Sequence, residues 1–385
     1  MMLRRERSRG ISHKCGLDIG SHTIKGVEVV ERGSEIVIRS AGSVSTPQTG
    51  AKERSPDRAA LVQAIKSLWA SAQFRAKDVV LALPPEDVYI KWLHLEPTDE
   101  EDLGNIARAT AARGAPFPAQ DAIIDYRVIS SQMRTSRKVY FVMLVAASSS
   151  AVGRLLDVAE RAGLEPLAVD MGADAAVRSF EAQRRTVSPL WGRQPRAHCI
   201  IGAGATTIAV VRGGTLEFVR TVPVGGNDFT ECVAEAAGVD WQVADRMKMN
   251  PGTRLNEDDA AMMLDSGGGL RIPCGNLVSR LARETQRSLR FFSSQFAEGS
   301  YLGMIGTATL SGGGSLLRGI DACLRQYGLE AKSVINPFAG FPVDADGSGI
   351  QQVGDQAAAY TTAMGLAIGD YSSASSGAEA TAIAA

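Results

Sequence analysis

The chain has 385 residues, 45% of them hydrophobic and 22% charged, with a formal net charge of -1; that length calls for two or more domains, and the charge balance gives no electrostatic reason to expect nucleic acid. Its five cysteines, Cys15, Cys199, Cys232, Cys274 and Cys323, are scattered without a C-x-x-C pair, which argues against a disulfide framework or a zinc site and for reduced, cytoplasmic thiols. No run of about 18 apolar residues occurs, so neither a membrane span nor an export leader is expected.

Residues 1–14 carry Arg4, Arg5, Arg7 and Arg9 and read as a disordered basic tail, with contact to anionic lipid as the alternative. The first lobe is expected over 15–185. In it, IKGVEVVERG and SEIVIRSAG flank a turn at Arg32 and Gly33, the pattern of a hairpin. Leu61, Ile65 and Leu68 with Trp69 fall on one face of a helix, with Pro56 suited to its first turn. The buried strand DVVLALPP follows. Residues 88–149 read as an inserted module: a strand, a helix begun by a capping box between Thr98 and Glu101, then two strands. Helix AVGRLLDVAERAG and strand LEPLAVDM return to the main sheet, and this alternation predicts an α/β lobe.

A polar stretch at 184–196 marks the boundary, and a second lobe is expected over 196–370. HCIIGAGATTIAVVRGGTLEFVRTVPVGG repeats the opening order of strand, glycine loop, strand, turn and strand, so Gly202 takes the place of Gly20. A small subdomain is expected over about 227–300, with a helical region at 227–249, an SGGG loop at 266–269 and a long helix. On that helix Leu277, Leu281, Thr285, Ser288 and Phe292 share a face that packs a core or meets a ligand. LSGGG then feeds a helix stopping at Gly328, a last helix near AAAYTTAMGLAIGD completes the second lobe, and 371–385 read as a disordered tail.

Three loops carry chemistry. In DIGSHTIK, Gly20 permits close approach of backbone amides to phosphate, Ser21 and Thr23 add hydroxyls, Lys25 a cation, and Asp18 a carboxylate able to hold Mg²⁺ through water; alone, the motif is equally a plain β-turn. IGAGATT repeats that chemistry with Gly202, Gly204, Thr206 and Thr207, and two such loops on opposing lobes clamp a polyphosphate. The third places Gly312, Gly313 and Gly314 between a strand and a helix, either to admit a flat ring or ribose or simply to make a tight turn. Neither G-x-x-x-x-G-K-[ST] nor G-x-G-x-x-G follows the first strand. His13, His22, His94 and His198 are dispersed and no G-x-S-x-G occurs, so covalent catalysis has no candidate.

The loop order resembles the actin, sugar-kinase and heat-shock ATPase superfamily, and CGLDIGSHTIKGVEVV, LALPPEDVYIKWLHLEPTDEEDL, GAPFPAQDAIIDYRV, the T-x-P-V-G-G-N-D run at 221–228, ETQRSLRFFSSQ and LSGGGSLLRGID are similar to its PilM branch, over about 15–370. The resemblance implies a duplicated actin-like (ribonuclease H-like) α/β fold of two lobes, with ATP or ADP and Mg²⁺ in the cleft. Carried onto this sequence, the nucleotide contacts are Gly20, Ser21, His22, Thr23 and Lys25; Gly202, Ala203, Gly204, Thr206 and Thr207; Gly312, Gly313 and Gly314; and Glu284, Arg287 and Ser288 beside adenine and ribose, unless these form a solvated face. Asp18 is the metal residue. It also implies a cytoplasmic component of the type IV pilus inner-membrane platform, serving pilus assembly or twitching motility, that binds the N-terminal tail of a PilN-like membrane protein near the inserted module, with other platform proteins as further candidates.

One departure bears on catalysis: the superfamily's D-x-G in the second loop is here Ile200-Ile201-Gly202. Isoleucine neither ligates Mg²⁺ nor orients water, so binding with negligible turnover is expected unless another carboxylate substitutes. A sugar or acid kinase on the same fold is the enzymatic rival, with Asp170 and Asp125 as available bases. An FtsA-like division scaffold is the structural rival, although SSASSGAEATAIAA lacks the amphipathic membrane helix of that family.

Overall fold

A computed structural model describes residues 12–33, 35–47, 57–96, 102–134, 137–185, 194–264, 269–295, 305, 307–344 and 349–369. The capping box at Thr98 and Glu101, Pro56, most of the 184–196 boundary and of the SGGG loop, and both outer tails lie outside them.

Strands β1 (Ser12–Ile19), β2 (Thr23–Arg32) and β3 (Glu35–Ser45) form an antiparallel meander. Gly33 makes the second turn at φ 68°, a left-handed conformation open to glycine without a Cβ clash. Helix α1 (Arg58–Ser71) starts where the Asp57 side chain accepts from the Ala60 amide, and buries Ile65 and Leu68, with Leu61 and Trp69 against the same core. Strand β4 (Asp78–Leu83) runs parallel beside β1. The chain then leaves the sheet: β5 (Val88–Leu95), α2 (Asp102–Gly114), β6 (Ala122–Arg134) and β7 (Arg137–Ser148) make a separate three-stranded sheet in the order β5-β7-β6. Helix α3 (Ser149–Arg161), capped by Ser148, leads back to β8 (Glu165–Met171), parallel to β4, and to α4 (Gly172–Arg185).

The second half repeats this plan. Strands β9 (Arg196–Ile201), β10 (Thr206–Arg212) and β11 (Thr215–Val222) form an antiparallel meander. The expected single helical region is two helices, α5 (Gly226–Ala237) and α6 (Trp241–Lys248), because Gly238 at φ 64° ends the first. Short strands β12 (Arg254–Leu255), β13 (Ala261–Met263) and β14 (Arg271–Pro273) precede the long helix α7 (Gly275–Ser293). Strand β15 (Ala308–Ser311), α8 (Ile320–Gln326) and β16 (Ala331–Val334) finish the sheet, followed by α9 (Ile350–Val353) and α10 (Thr361–Ala367). The two five-stranded sheets have the orders β3-β2-β1-β4-β8 and β11-β10-β9-β15-β16. Third, second, first, fourth, fifth in both, they are the duplicated, two-lobed actin-like α/β fold expected from the loop pattern.

Two expectations are corrected. β1 begins at Ser12, inside the stretch 1–14 read as a tail, because Lys14 is buried and donates to the Gly369 carbonyl at 2.6 Å while pairing with Glu31 at 3.2 Å. The last helix, expected to complete the second lobe, packs on the first: Ala363, Met364 and Ala367 share a core with Val27, Val29 and Ile38. Glycines permit the approach, since a Cβ on Gly16 would overlap the Ala363 carbonyl and one on Gly365 the Ala175 carbonyl. Before α10, the chain also covers the edge of β3, with Ile38 donating to Pro342 O at 2.8 Å and accepting from Asp344 N at 2.9 Å. The inserted module leans on the other lobe, where Met143, Ile90 and Trp92 pack with Ala209, Val211, Leu216 and Val219.

Candidate functional site

Gly20, Ser21 and His22 join β1 to β2, and three backbone-directed bonds hold the loop: Gly20 N to Thr23 O at 3.2 Å, the Thr46 hydroxyl to Gly20 O at 2.6 Å, and Thr46 N to His22 O at 2.9 Å. Asp18 and Lys25 stand directly opposite in the strand register, so their side chains share one face at the loop's root. Burial raises the Asp18 carboxyl above its ordinary range and Lys25 partly counters this; burial lowers the Lys25 ammonium and Asp18 partly counters that.

The second loop is built the same way, with Gly202 N donating to Ala205 O at 2.9 Å. The first amides of α5, Gly226 N and Asn227 N, donate to the Gly202 and Ala203 carbonyls at 2.9 and 2.8 Å. They fix the loop and are therefore not open donors to an anion. Thr206 is fully buried and donates to Val224 O at 2.7 Å, which makes it a strut rather than a ligand; Thr207 is also buried. The two loops face each other, since a Cβ placed on Gly204 would lie 3.6 Å from Ser21 Oγ.

The first loop also reaches the small subdomain of the other lobe. His22 Nε2 lies 2.8 Å from Asp245 Oδ2 on α6, with the Trp241 ring 6.1 Å from that of His22. The other Asp245 oxygen takes Lys248 Nζ at 2.9 Å and the Thr230 hydroxyl at 3.2 Å. Lys248 in turn donates to Thr230 Oγ1 at 2.5 Å and Gly226 O at 3.1 Å. Burial pushes the Asp245 carboxyl up, but the His22 hydrogen bond and the Lys248 charge outweigh it and hold the group well below the usual carboxylate range. His22, read from sequence as a nucleotide contact, is thus engaged across the cleft. Asp245, Lys248 and Thr230 were not legible as site residues: an Asp and a Lys three apart on a helix read as an ordinary solvated pair.

The third loop serves the second from behind. Gly312, at φ 82°, donates to Ala358 O at 2.9 Å, and Cβ atoms on Gly312 or Gly314 would run into Ile201. These two glycines exist to let the loop close over Ile201, whereas Gly313 is exposed with open space around it. The residues expected beside adenine lie on α7. The main neighbours of α7 are α8, β10 and β11; Ser288 is fully buried with its hydroxyl donating to Glu284 O at 2.8 Å, Glu284 pairs with Arg220 of β11 at 3.6 Å, and Arg287 is exposed. The shared face of α7 packs the core, as the apolar alternative had it. A cavity of about 450 Å³ beside Asp259, Gly275, Asn276 and Tyr327 contains no loop residue.

Ile200 sits opposite Thr207 and beside Ser311 in the strand register. Among the described residues no group of three or more His, Cys, Asp or Glu could hold a metal. A lone, half-buried Asp18 suits a cation that keeps most of its water and takes phosphate oxygens, rather than an all-protein cage. One buried polar atom beside the second loop, Asn227 Oδ1, has no partner, as an acceptor awaiting a ligand group would. The two bases open to a kinase are engaged: Asp170 accepts from Met171 N at 2.7 Å and pairs with Arg178 at 2.9 Å, and Asp125 accepts from Tyr126 N at 2.8 Å. His198, held neutral by burial that lowers it to about 3, sits between Thr309 and Ser311 and stacks on Phe180.

A family model described as type IV pilus assembly protein PilM matches residues 16–371. No curated protein matches significantly. Among solved structures, a PilM-PilN type IV pilus biogenesis complex is similar at 26% identity, covering 93% of this chain and 98% of that one, with a TM-score of 0.75. EutJ from Carboxydothermus hydrogenoformans (14% identity, 93% and 90% covered, TM-score 0.47) and ADP-bound MreB5 of Spiroplasma citri (13%, 92% and 94%, 0.48) are more distant.

Proposed function

The chain belongs to the type IV pilus assembly protein PilM family, and from that premise we propose that it is a nucleotide-holding adaptor of the pilus platform rather than an ATP-driven motor. The observation that carries this reading is the confrontation of the first two loops, with Ser21 Oγ 3.6 Å from the Cβ position of Gly204 and the Asp18–Lys25 pair at the root of one loop only. Gly20, Ser21, Thr23 and Lys25 from one lobe and Gly202, Ala203 and Gly204 from the other would hold the phosphates of ATP or ADP, with Gly313 open beside them. Bound Mg²⁺ would supply positive charge to neutralise the phosphates, held through Asp18. Ile200 stands where the superfamily pattern has a carboxylate, and His22 is tied to Asp245. Without a group to place water against the terminal phosphate, hydrolysis is negligible, and the nucleotide acts as a clamp between lobes.

The partner is the N-terminal tail of a PilN-like inner-membrane protein, received by the first lobe near the inserted module; the similar solved complex contains a PilN. None of the described helices is long and apolar enough to cross a membrane; this partner would tie the chain to the cytoplasmic face. The test is a titration of fluorescent ATP and of the tail peptide against the purified chain. Saturable binding of both, with no phosphate release above background, is expected. Phosphate release abolished by Asp18→Ala would refute the adaptor reading, and no peptide binding at high micromolar concentration would remove the pilus partner.

A further inference from the structure

Helix α7 has a second face that the cleft does not use. Over its 19 residues Val278, Leu281, Ala282, Thr285, Ser288 and Phe292 are buried, while Arg280, Arg283, Arg287 and Arg290 are exposed. Spacings of three, four and three residues put these four guanidiniums within an arc of roughly 80°, opposite the buried face and along roughly 15 Å of helix. Among the described residues none of the four has an ion pair or hydrogen bond from its side chain. The nearby acid, Glu284, is turned away to Arg220 of β11. Phe291, next to the last arginine, is 56% exposed and reaches back to Phe218 with ring centroids 6.0 Å apart.

Like charges three and four apart on a helix repel and weaken it. On a chain whose net charge is only -1, a row of unpaired arginines therefore has no internal explanation. An outside anion supplies one. Guanidinium groups take phosphate oxygens two at a time, and a straight row on the outward side of a helix presents its charges to a plane. An exposed phenyl ring at the end of the row is suited to the boundary between headgroups and acyl chains. The run Arg4, Arg5, Arg7 and Arg9 at the start of the chain is a second cationic element of the same kind, and stable attachment to lipid generally needs two signals.

We infer that the Arg280, Arg283, Arg287 and Arg290 face of α7 docks on a surface of anionic phospholipid. This stands independently of the nucleotide and tail-binding readings. The test is flotation of the full chain with phosphatidylcholine vesicles made with and without phosphatidylglycerol. The wild type should float with the anionic vesicles only, and binding should fall by at least about tenfold in Arg280→Gln/Arg283→Gln/Arg290→Gln, whose unfolding transition should be no lower than that of the wild type because the three exposed arginines repel one another. Equal flotation with neutral vesicles would overturn the inference. So would full binding by the triple variant with loss on changing Arg4, Arg5, Arg7 and Arg9 to Gln, which would assign the lipid contact to the chain start. Capture of duplex DNA in place of lipid, through the same three arginines, would assign the face to nucleic acid instead.

Discussion

Asp245→Asn tests the bridge between the lobes. Asparagine keeps the shape of the side chain but removes the charge from its contacts to His22 at 2.8 Å and Lys248 at 2.9 Å. It leaves Lys248, 11% exposed, with only neutral acceptors: Gly226 O, Thr230 Oγ1 and the new amide oxygen. Hydrogen bonds to charged groups contribute about 1.5–3 kcal/mol and neutral ones about 1 kcal/mol, so taking the carboxylate charge out of two such bonds costs up to about 1–4 kcal/mol. The Asp245 side chain is 15% exposed, so solvent screening is modest. Its pH dependence has a fixed sign. Burial alone would raise the carboxyl, but His22 and Lys248 hold it low in the folded protein. Its contribution is therefore complete above the ordinary carboxylate value of about 4 and fades as pH falls through the lower folded-state value. Urea unfolding followed by tryptophan fluorescence, to which Trp241 contributes beside His22, should show the variant least stable relative to wild type at neutral pH, with the gap closing on acidification below about pH 4. Equal stability at neutral pH, or a gap that persists unchanged into acid, would refute the bridge.

Asp18→Asn should remove most of the gain in nucleotide affinity that Mg²⁺ brings, about tenfold or more; isothermal titrations with and without Mg²⁺ that give the same ratio as wild type would count against Asp18 as the metal residue. Ser179→Ala should stabilise by about 1 kcal/mol, because its hydroxyl is fully buried with no hydrogen-bond partner; a lower midpoint in denaturant would mean that the hydroxyl is satisfied. Gly365→Ala should destabilise by about 3 kcal/mol or more, since the new Cβ meets the Ala175 backbone, which cannot swing aside as a side chain can. An unchanged melting temperature would contradict the close α4–α10 packing.

Much of this architecture was legible because local chemistry repeats. Gly20 and Gly202 each sit between β-branched strands, and Leu61, Ile65 and Leu68 keep a helical period, so elements and loop order follow from short windows of text. The relations that decide the site do not. His22 and Asp245 are 223 residues apart, and no period or spacing links them. Gly312 and Gly314 look like phosphate glycines until Ile201 is found occupying the space their side chains would need. Ser288 looks like a ligand hydroxyl on a polar helix, yet the amphipathic arc that is legible in α7 also dictates that this position faces the core. The last helix carries small residues that fit either lobe, and only the backbone contacts at Gly16 and Gly365 select the first.

That selection has a consequence for synthesis. The first sheet is translated early, but α10, which covers Val27, Val29 and Ile38, follows β1 by roughly 350 residues, or roughly 20–70 s at common elongation rates. Throughout that interval one face of the nascent first lobe lacks its cover, so the ribosome releases a chain whose earliest strands are among the last to be sealed. Truncation just before Thr361 should therefore yield an insoluble product, even though every residue of the three loops would be present.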